Sequence, residues 1–334
     1  MQRVLVPLDI DPTPPPAGSV VVDAAGLSMG TSWSARIVHD APLPPLAALL
    51  QAELDEVVAQ MSHWEAGSDL GRFNRAAAGT WHSLPAQFAT VIEYALGVAR
   101  DSGGAYDPCA GALVNLWGFG PSGRYDQAGF RAPAPDAVAA VLAARHAAPA
   151  MQYQAAPRRL FQPGGVQLDL SSVAKGFAVD QLARCLRMQG VRHYLVEVGG
   201  ELRGAGVKPD GQPWWVALEG VPDTRGPAAT VAALHGLALA TSGDYRRCYP
   251  WGAGRAAHTL DPRTGYPVAN DVASVTVLHP ACMAADALST SLTVLGADAG
   301  LAFAEQHGLA ARFLLRRPGA LAEVTTAAYR GLLQ

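Results

Sequence analysis

The stretch from residue 193 to residue 240 reads HYLVEVGGELRGAGVKPDGQPWWVALEGVPDTRGPAATVAALHGLALA. It contains four short apolar runs that follow one another without a helical pattern between them. These runs are His193–Val198, Trp214–Leu218, Thr230–Leu234 and Leu237–Ala240. Consecutive strands without crossover helices are typical of antiparallel sheets, so the stretch indicates an α+β fold rather than a doubly wound one.

Three further strand-like runs and five helices lie outside this stretch. The runs are Ser274–Leu278, Arg312–Leu315 and Glu323–Thr326. The helices begin at Pro44-Pro45, Pro85 and Pro135, or span about Val173–Met188 and Met283–Leu295, with Gly296 after the last. Proline at a helix start and glycine after a helix end are the usual boundary signals. The sequence therefore predicts an α+β protein with a mostly antiparallel sheet and flanking helices.

The predicted organisation is a leader followed by one domain. Four prolines lie between Asp11 and Gly18, which predicts a stiff, extended, proline-rich leader over residues 1–20. No change in composition marks a later boundary, so residues 21–334 are predicted to form a single domain.

Charge and apolar content argue against two classes of protein. The chain has 334 residues, with 25 Lys and Arg against 28 Asp and Glu, so its formal net charge is −3. A nucleic-acid-binding protein needs a basic face, so we expect no nucleic-acid partner. Every long apolar run is interrupted before 18 residues, so we expect no transmembrane segment.

Cysteine spacing and the N-terminal sequence predict a cytoplasmic protein. The four cysteines fit neither a zinc ribbon nor a redox pair and are expected to be reduced; they are Cys109, Cys185, Cys248 and Cys282. The N-terminus lacks the apolar run and the small-residue cleavage site of a signal peptide.

The chain carries none of the common nucleotide, zinc or hydrolase signatures. It has no G-x-G-x-x-G, no G-x-x-x-x-G-K-[ST], no H-E-x-x-H and no G-x-S-x-G. Chemistry-bearing residues instead gather in six clusters rich in glycine and polar side chains. The clusters are Met29–Thr31, Ala105–Pro108, Asp169–Gly176, Thr241–Arg246, His258–Gly265 and Asp286–Thr290.

The cluster Asp169–Gly176 places a carboxylate and two hydroxyls before a helix whose first turn contains Lys175. Free N–H groups at a helix N-terminus, together with a lysine, form a plausible anion site. The alternative is an ordinary N-cap with a lysine that extends along the surface into water.

Asp286 and Thr290 are four residues apart in an otherwise apolar helix and therefore share one face. Burying an isolated aspartate is costly unless a positive charge or hydrogen bonds compensate it. A hard cation with oxygen ligands would do so, and a buried hydrogen bond to neighbouring backbone is the alternative.

Taken together and in this order, the clusters resemble the ApbE family, the FAD:protein FMN transferases. The resemblance covers roughly residues 25 to 325. Besides the six clusters it rests on Ser62-His63-Trp64, Ser68–Leu70, Asn74, Gly111, Leu113–Gly120 and Gly199-Gly200-Glu201, and four of the clusters extend within it to Asp169–Asp180, Ala240–Arg246, His258–Pro267 and Ala285–Thr290.

The resemblance implies an α+β, ApbE-like fold and a site that uses Mg²⁺ with FAD as substrate. It implies metal ligation by Asp286, Thr290 and the backbone carbonyl of Ser172, helped by Ser289. The implied FAD contacts are Met29, Trp64, Ala105, Tyr106, Asp107, Asp169, Lys175 and Leu260. His258 is similar in position to the family's acid–base histidine; an ordinary histidine titrates near neutrality, and the alternative is a hydrogen-bonded turn residue.

The implied reaction transfers the FMN half of FAD to a threonine hydroxyl of an acceptor protein, forms a phosphoester and releases AMP. The sequence is also compatible with two alternatives. One is an FAD pyrophosphatase that uses the same metal site with water as nucleophile and gives FMN and AMP. The other is a non-catalytic FAD-binding protein.

Overall fold

The structure is a computed structural model that describes residues 3–7, 9–39, 45–148, 150–222, 224, 226–252 and 254–334. In chain order the strands are β1 (Arg3–Leu5), β2 (Val20–Ser28), β3 (Thr31–His39), β4 (Thr80–Ser83), β5 (Gln152–Gln154), β6 (Arg159–Gln162), β7 (His193–Val198), β8 (Glu201–Ala205), β9 (Trp214–Ala217), β10 (Thr230–Leu234), β11 (Ala238–Gly243), β12 (Cys248–Trp251), β13 (Gly254–Ala257), β14 (Leu260–Asp261), β15 (Tyr266–Pro267), β16 (Val272–His279), β17 (Ala310–Arg317) and β18 (Ala320–Thr325). The helices are α1 (Leu46–Met61), α2 (Asp69–Asn74), α3 (Ala86–Asp101), α4 (Gly111–Leu116), α5 (Pro135–Ala147), α6 (Ala174–Met188), α7 (Cys282–Gln306) and α8 (Ala327–Arg330). Pro44, one of the two prolines predicted to open α1, lies outside the described residues.

The backbone divides into two compact units. Unit 1 comprises Met1–Glu56, Lys175–Gly243 and Asp271–Gln334, and unit 2 comprises Val57–Ala174 and Asp244–Asn270. The single domain expected over residues 21–334 stays a prediction.

Unit 1 is built on an eight-stranded sheet with the strand order β18-β17-β16-β11-β8-β7-β3-β2. Every neighbouring pair in it is antiparallel. A second sheet has the order β1-β10-β9, in which β1 runs parallel to β10 and β10 antiparallel to β9. The predicted α+β fold with a mostly antiparallel sheet is therefore confirmed.

The first half of the chain contains a long hairpin that the strand prediction missed. All nine residues of β2 pair with the nine residues of β3. The turn between them has positive φ at Met29 (52°) and Gly30 (71°), the conformation of a hairpin turn that follows the sheet's right-handed twist. The sequence VVVDAAGLS lacks clean alternation because β2 is an edge strand with several exposed side chains, so its pairing comes from tertiary contact.

Helix α7 packs on β11 and β16 in unit 1. Gly296, predicted to end this helix, has non-helical φ of 81° and ψ of −176°, and helical structure resumes after it. Among the described residues, α7 is the one helix long and apolar enough to cross a membrane by length and composition. Inside the fold, 56% of its most apolar window is buried, as is typical of a core helix.

Unit 2 contains α2 to α5, the three-stranded sheet β4-β6-β5 and the two-stranded pairs β12-β13 and β14-β15. One apolar cluster joins several of these elements. Its buried members are Leu113, Trp117, Phe119, Val138, Ala256 and Leu260. All four cysteines of the chain are free thiols, as the sequence predicts.

Candidate active site

The first turn of α6 meets the first turns of α7 at Gly176. A Cβ atom on Gly176 would lie 2.4 Å from the carbonyl oxygen of Cys282 and 2.8 Å from the Cβ of Asp286, so glycine alone fits without a shift. The Gly176 N–H donates to Asp286 Oδ2 at 2.9 Å. This close approach places the start of α6, and with it Lys175, beside Asp286.

Asp286 is only 4% exposed, and its environment does not fully compensate its charge. Burial raises the pKa of the Asp286 carboxyl, while the positive charge of Lys175 and the Gly176 N–H act in the opposite direction. The backbone hydrogen bond considered as the alternative to a cation is therefore present. This hydrogen bond and the charge of Lys175 together do not offset the desolvation of the carboxylate. A nearby cation would therefore stabilise its ionised form.

Lys175 forms an ion pair with a second buried carboxylate. Its Nζ lies 2.5 Å from Glu201 Oε1, and the Glu201 side chain is 5% exposed. Lys175 is therefore held inside unit 1 rather than extended along the surface. A single lysine charge shared by the carboxylates of Glu201 and Asp286 leaves these three groups with a net negative charge.

Hydroxyl oxygens lie beside Asp286 on α7 and on the neighbouring strand β11. Ser242 Oγ is 2.8 Å from Ser289 Oγ and 3.0 Å from Thr290 Oγ1. Within the described ranges no group of three or more His, Cys, Asp or Glu residues could hold a metal ion. One carboxylate with hydroxyl oxygens nonetheless suits Mg²⁺, which usually takes one or two protein carboxylates and completes its shell with water and substrate phosphates.

The Met29–Gly30 turn lies beside the turn at Gly199. The Gly199 N–H donates to the Ser32 carbonyl at 3.1 Å, and a Cβ on Gly199 would lie 2.9 Å from Thr31 Cγ2. Gly199 and Gly200 lead directly into Glu201. In unit 1 the cluster that contains Thr31 therefore contacts the turn that leads into Glu201, the ion-pair partner of Lys175.

In unit 2 the loop at Ala105–Pro108 contacts the loop at Asp169–Ser172. The Asp169 N–H donates to the Pro108 carbonyl at 2.8 Å. The Ser172 hydroxyl donates to Tyr106 Oη at 3.3 Å. Two more of the predicted clusters are therefore neighbours in space.

Asp169 also connects to the loop that contains Trp64. His63 Nδ1 is 3.3 Å from Asp169 Oδ1, and the His63 side chain is 9% exposed. Trp64 is 42% exposed, and the Arg124 guanidinium lies 5.6 Å from the centroid of its ring. Trp64 is thus not a packed core residue, and part of its ring is exposed beside the Arg124 guanidinium.

Three of the residues predicted to contact FAD also contribute to the packing or hydrogen bonding of unit 2. Asp107 Oδ2 pairs with Arg145, and its Oδ1 accepts from the Cys109 N–H at 2.8 Å. Leu260 is 7% exposed and belongs to the apolar cluster of unit 2, and Ala105 is 1% exposed. Leu260 and Ala105 therefore expose little surface to a ligand in this structure.

His258 is anchored to the backbone of Arg247. Its N–H donates to the Arg247 carbonyl at 3.0 Å, and its ring Nδ1 lies 3.2 Å from the same oxygen. A carbonyl only accepts, so this contact places a ring proton on Nδ1; in the neutral form of the ring the lone pair is then on Nε2. His258 is thus a hydrogen-bonded turn residue, and the neutral form of its ring can accept a proton at Nε2.

Comparison with known proteins fits this collection of motifs. A profile of the ApbE family matches residues 29–313. The chain belongs to the ApbE family. The FAD:protein FMN transferase of Haemophilus influenzae is 35% identical over 330 residues, which cover 94% of this chain and 92% of that protein.

Solved ApbE structures have the same fold. The apo flavinyl transferase ApbE of Pseudomonas stutzeri superposes with a TM-score of 0.83 at 35% identity, over 94% of this chain and 97% of that one. The flavin transferase ApbE of Vibrio cholerae gives 0.83 at 33% identity, over 94% and 99%. The expected ApbE-like fold is confirmed.

Two polar residues of the candidate site in unit 1 were assigned no role in the sequence analysis. Glu201 and Ser242 both belong to quoted motifs, but their contacts with Lys175 and Thr290 join distant segments of the chain. The one available signal was their polar character beside glycine at the ends of apolar strands.

Proposed function

We propose that this chain is an FAD:protein FMN transferase that moves the FMN half of FAD to a threonine hydroxyl of an acceptor protein. The main support for the proposal is the group formed by Lys175, Glu201 and the buried Asp286, in a chain that is similar over most of its length to proteins of that name. A protein that only stored FAD would not need a buried, incompletely compensated carboxylate.

Mg²⁺ fits the oxygen atoms gathered on α7. Asp286 and Thr290 would hold it, with Ser289 beside them, and the part of the Ser172 carbonyl stays a prediction. When bound, the ion would neutralise developing negative charge on pyrophosphate oxygens. The ion would also stabilise the negative charge of the Asp286 carboxylate, which burial disfavours.

Lys175 supplies a fixed positive charge for the pyrophosphate of FAD. Its pairing with Glu201 holds the ammonium group in one place before the substrate arrives. Trp64 offers an exposed ring on which a planar ring of the dinucleotide can stack. The contacts proposed for Met29, Ala105, Tyr106, Asp107, Asp169 and Leu260 stay predictions.

The chemical step joins the threonine oxygen to the phosphorus of the FMN half and breaks the bond from that phosphorus to the bridging oxygen. AMP leaves with the bridging oxygen. The predicted acceptor of the hydroxyl proton is His258, whose ring Nδ1 contacts the Arg247 carbonyl oxygen. Holding the two reactants together replaces a bimolecular encounter and favours transfer over hydrolysis.

Covalent flavin on the acceptor tests this function. The purified protein is incubated with FAD, Mg²⁺ and an acceptor, and the acceptor is examined for flavin fluorescence after denaturing electrophoresis. We expect fluorescence that EDTA abolishes, that excess Mg²⁺ restores and that disappears when the target threonine of the acceptor is replaced by valine. Fluorescence that persists in EDTA would refute the metal dependence.

A cytoplasmic location also stays a proposal. Four free thiols are compatible with a reducing compartment. Fractionation of cells that express the native gene tests it, and recovery of the protein from a periplasmic or membrane fraction would refute it.

A further inference from the structure

Ser242, at the end of β11, contacts two hydroxyls on α7 at once. Its Oγ lies 2.8 Å from Ser289 Oγ and 3.0 Å from Thr290 Oγ1. Ser289 Oγ in turn lies 2.9 Å from the backbone carbonyl oxygen of Asp286. These four oxygen atoms form a chain in which each neighbouring pair is at hydrogen-bond distance.

The positions of the hydrogens follow from what each oxygen can donate. A carbonyl only accepts, so the Ser289 hydroxyl gives its single hydrogen to Asp286. The short contact between Ser242 and Ser289 then needs the hydrogen of Ser242. With that hydrogen committed, the contact between Ser242 and Thr290 needs the hydrogen of Thr290.

The result is a chain of hydrogen bonds with one direction, from Thr290 through Ser242 and Ser289 to the Asp286 carbonyl. It turns the hydrogen of Thr290 Oγ1 towards β11. Both lone pairs of that oxygen are left for other partners. A neutral hydroxyl binds a cation through a lone pair, so this is the orientation that a metal ligand requires.

We propose that Ser242 is a positioning residue for the cation site: it accepts the hydrogen of Thr290 and so presents the lone pairs of that hydroxyl to the ion. This inference rests on the proposed function, because it assigns Ser242 to the site formed by Asp286 and Thr290. Groups that orient metal ligands in this way typically contribute 10- to 100-fold in metal affinity.

The test is a titration of the purified, nucleotide-free protein with Mn²⁺ as the probe ion, with free Mn²⁺ followed by electron paramagnetic resonance. We expect Ser242→Ala to weaken Mn²⁺ binding about 10- to 100-fold. Ser242→Thr keeps the hydroxyl and is expected to bind within about threefold of the wild type, well inside that loss. Asp286→Ala gives the Mn²⁺ affinity of a protein whose proposed site lacks its carboxylate.

Thr241→Val is the matched control. Thr241 precedes Ser242 on β11, points to the opposite side of the strand and bonds Thr276 Oγ1 at 2.9 Å. Removing its hydroxyl should leave Mn²⁺ affinity unchanged, whereas an equal loss in both variants would show a general effect on β11 and overturn the proposal.

The outcomes separate this inference from the proposed function. If the wild type binds Mn²⁺ and Ser242→Ala binds it equally well, Ser242 does not position the ligand and only this inference fails. If the wild type itself binds no better than Asp286→Ala, the cation site on α7 is wrong and both fail. Failure of Ser242→Thr to restore affinity would also overturn the role of the hydroxyl.

Discussion

At the scale of single residues, Asp286 is the side chain whose burial is hardest to explain by stability. Burial raises its pKa above the ordinary aspartate value, so the charged form is less favourable in the folded protein than in the unfolded chain. The contribution of this group to stability is full below the ordinary aspartate pKa of about 3.9 and is lost as the pH rises through the higher folded pKa. At neutral pH the ionised carboxylate therefore destabilises the metal-free protein.

Asp286→Asn should consequently raise the melting temperature of the metal-free protein at pH 7. The asparagine oxygen can still accept from the Gly176 N–H, so the contact between the helices is kept. The gain should shrink as the pH approaches 4, and Mn²⁺ binding should be lost. A variant less stable than the wild type at pH 7 in EDTA would contradict the assignment.

Trp64 is expected to bind a ring of the nucleotide by stacking. Trp64→Ala should weaken ADP binding, measured by calorimetry, by a factor of about 5–150, which corresponds to roughly 1–3 kcal/mol of base–aromatic stacking. Trp215→Ala is the control, because Trp215 is equally exposed at 41% but lies on β9 of unit 1. Equal ADP affinities for the wild type and Trp64→Ala would show that Trp64 does not stack on the nucleotide.

The sequence predicts site residues well where the pattern is local and poorly where it is not. Asp286 and Thr290 stand out because four residues bring side chains to one helix face. Glu201 on β8 contacts Lys175 on α6, and Ser242 on β11 contacts Thr290 on α7. No spacing in the sequence predicts contacts between such distant segments.

At the scale of elements, the contact of α6 with α7 depends on the missing side chain of Gly176. Gly176→Ala should lower the free energy of unfolding by about 1–3 kcal/mol, the usual range for overpacking, although alanine favours helix. A Cβ atom on Gly97, in α3, would have no neighbour beyond its own helix backbone closer than 3.8 Å, so Gly97→Ala should be neutral or stabilising by up to about 1 kcal/mol. Urea denaturation compares the two, and a stabilising Gly176→Ala would contradict the close contact.

Strands and helices could be predicted where apolar residues are closely spaced and where proline or glycine marks the boundary. β7 and β10 have the predicted bounds, and α5 begins at the predicted Pro135. The hairpin β2-β3 was not predicted, because β2 is an exposed edge strand rich in small residues and lacks a clear alternation of apolar and polar residues. Its pairing is specified by β7, which lies far along the chain.

At the scale of the whole molecule, an ion-pair network links the two ends of the chain. Glu323 on β18 accepts from Arg3 on β1 and from Arg312 Nε at 2.6 Å, and the Arg312 side chain is 4% exposed. Burial acts to raise the pKa of Glu323, but the hydrogen bonds from the two arginines outweigh it and hold that pKa below its usual value.

Glu323→Gln should therefore destabilise the protein by about 3 kcal/mol at pH 7, because it leaves a buried arginine without its charge partner. The folded pKa is depressed, so the stabilisation is present above the ordinary glutamate pKa of about 4.3 and is lost as the pH falls through the folded value. The difference between variant and wild type should shrink accordingly in urea titrations below pH 4.3.

Asp271→Asn serves as the control for Glu323→Gln. Asp271 pairs with Arg317, and both side chains are more than a third exposed, so the loss should stay below about 1 kcal/mol. A penalty for Glu323→Gln no larger than this one would contradict the buried network.

Transfer of FMN to protein rather than to water can be decided by the intact mass of the acceptor together with the amount of AMP released. After incubation with the purified enzyme, FAD and Mg²⁺, we expect the acceptor to gain the mass of one FMN less one water, on its threonine, with an equal amount of AMP. Equal rates of AMP and free FMN formation with and without acceptor, and no gain of mass by any protein, would contradict transfer and favour the pyrophosphatase.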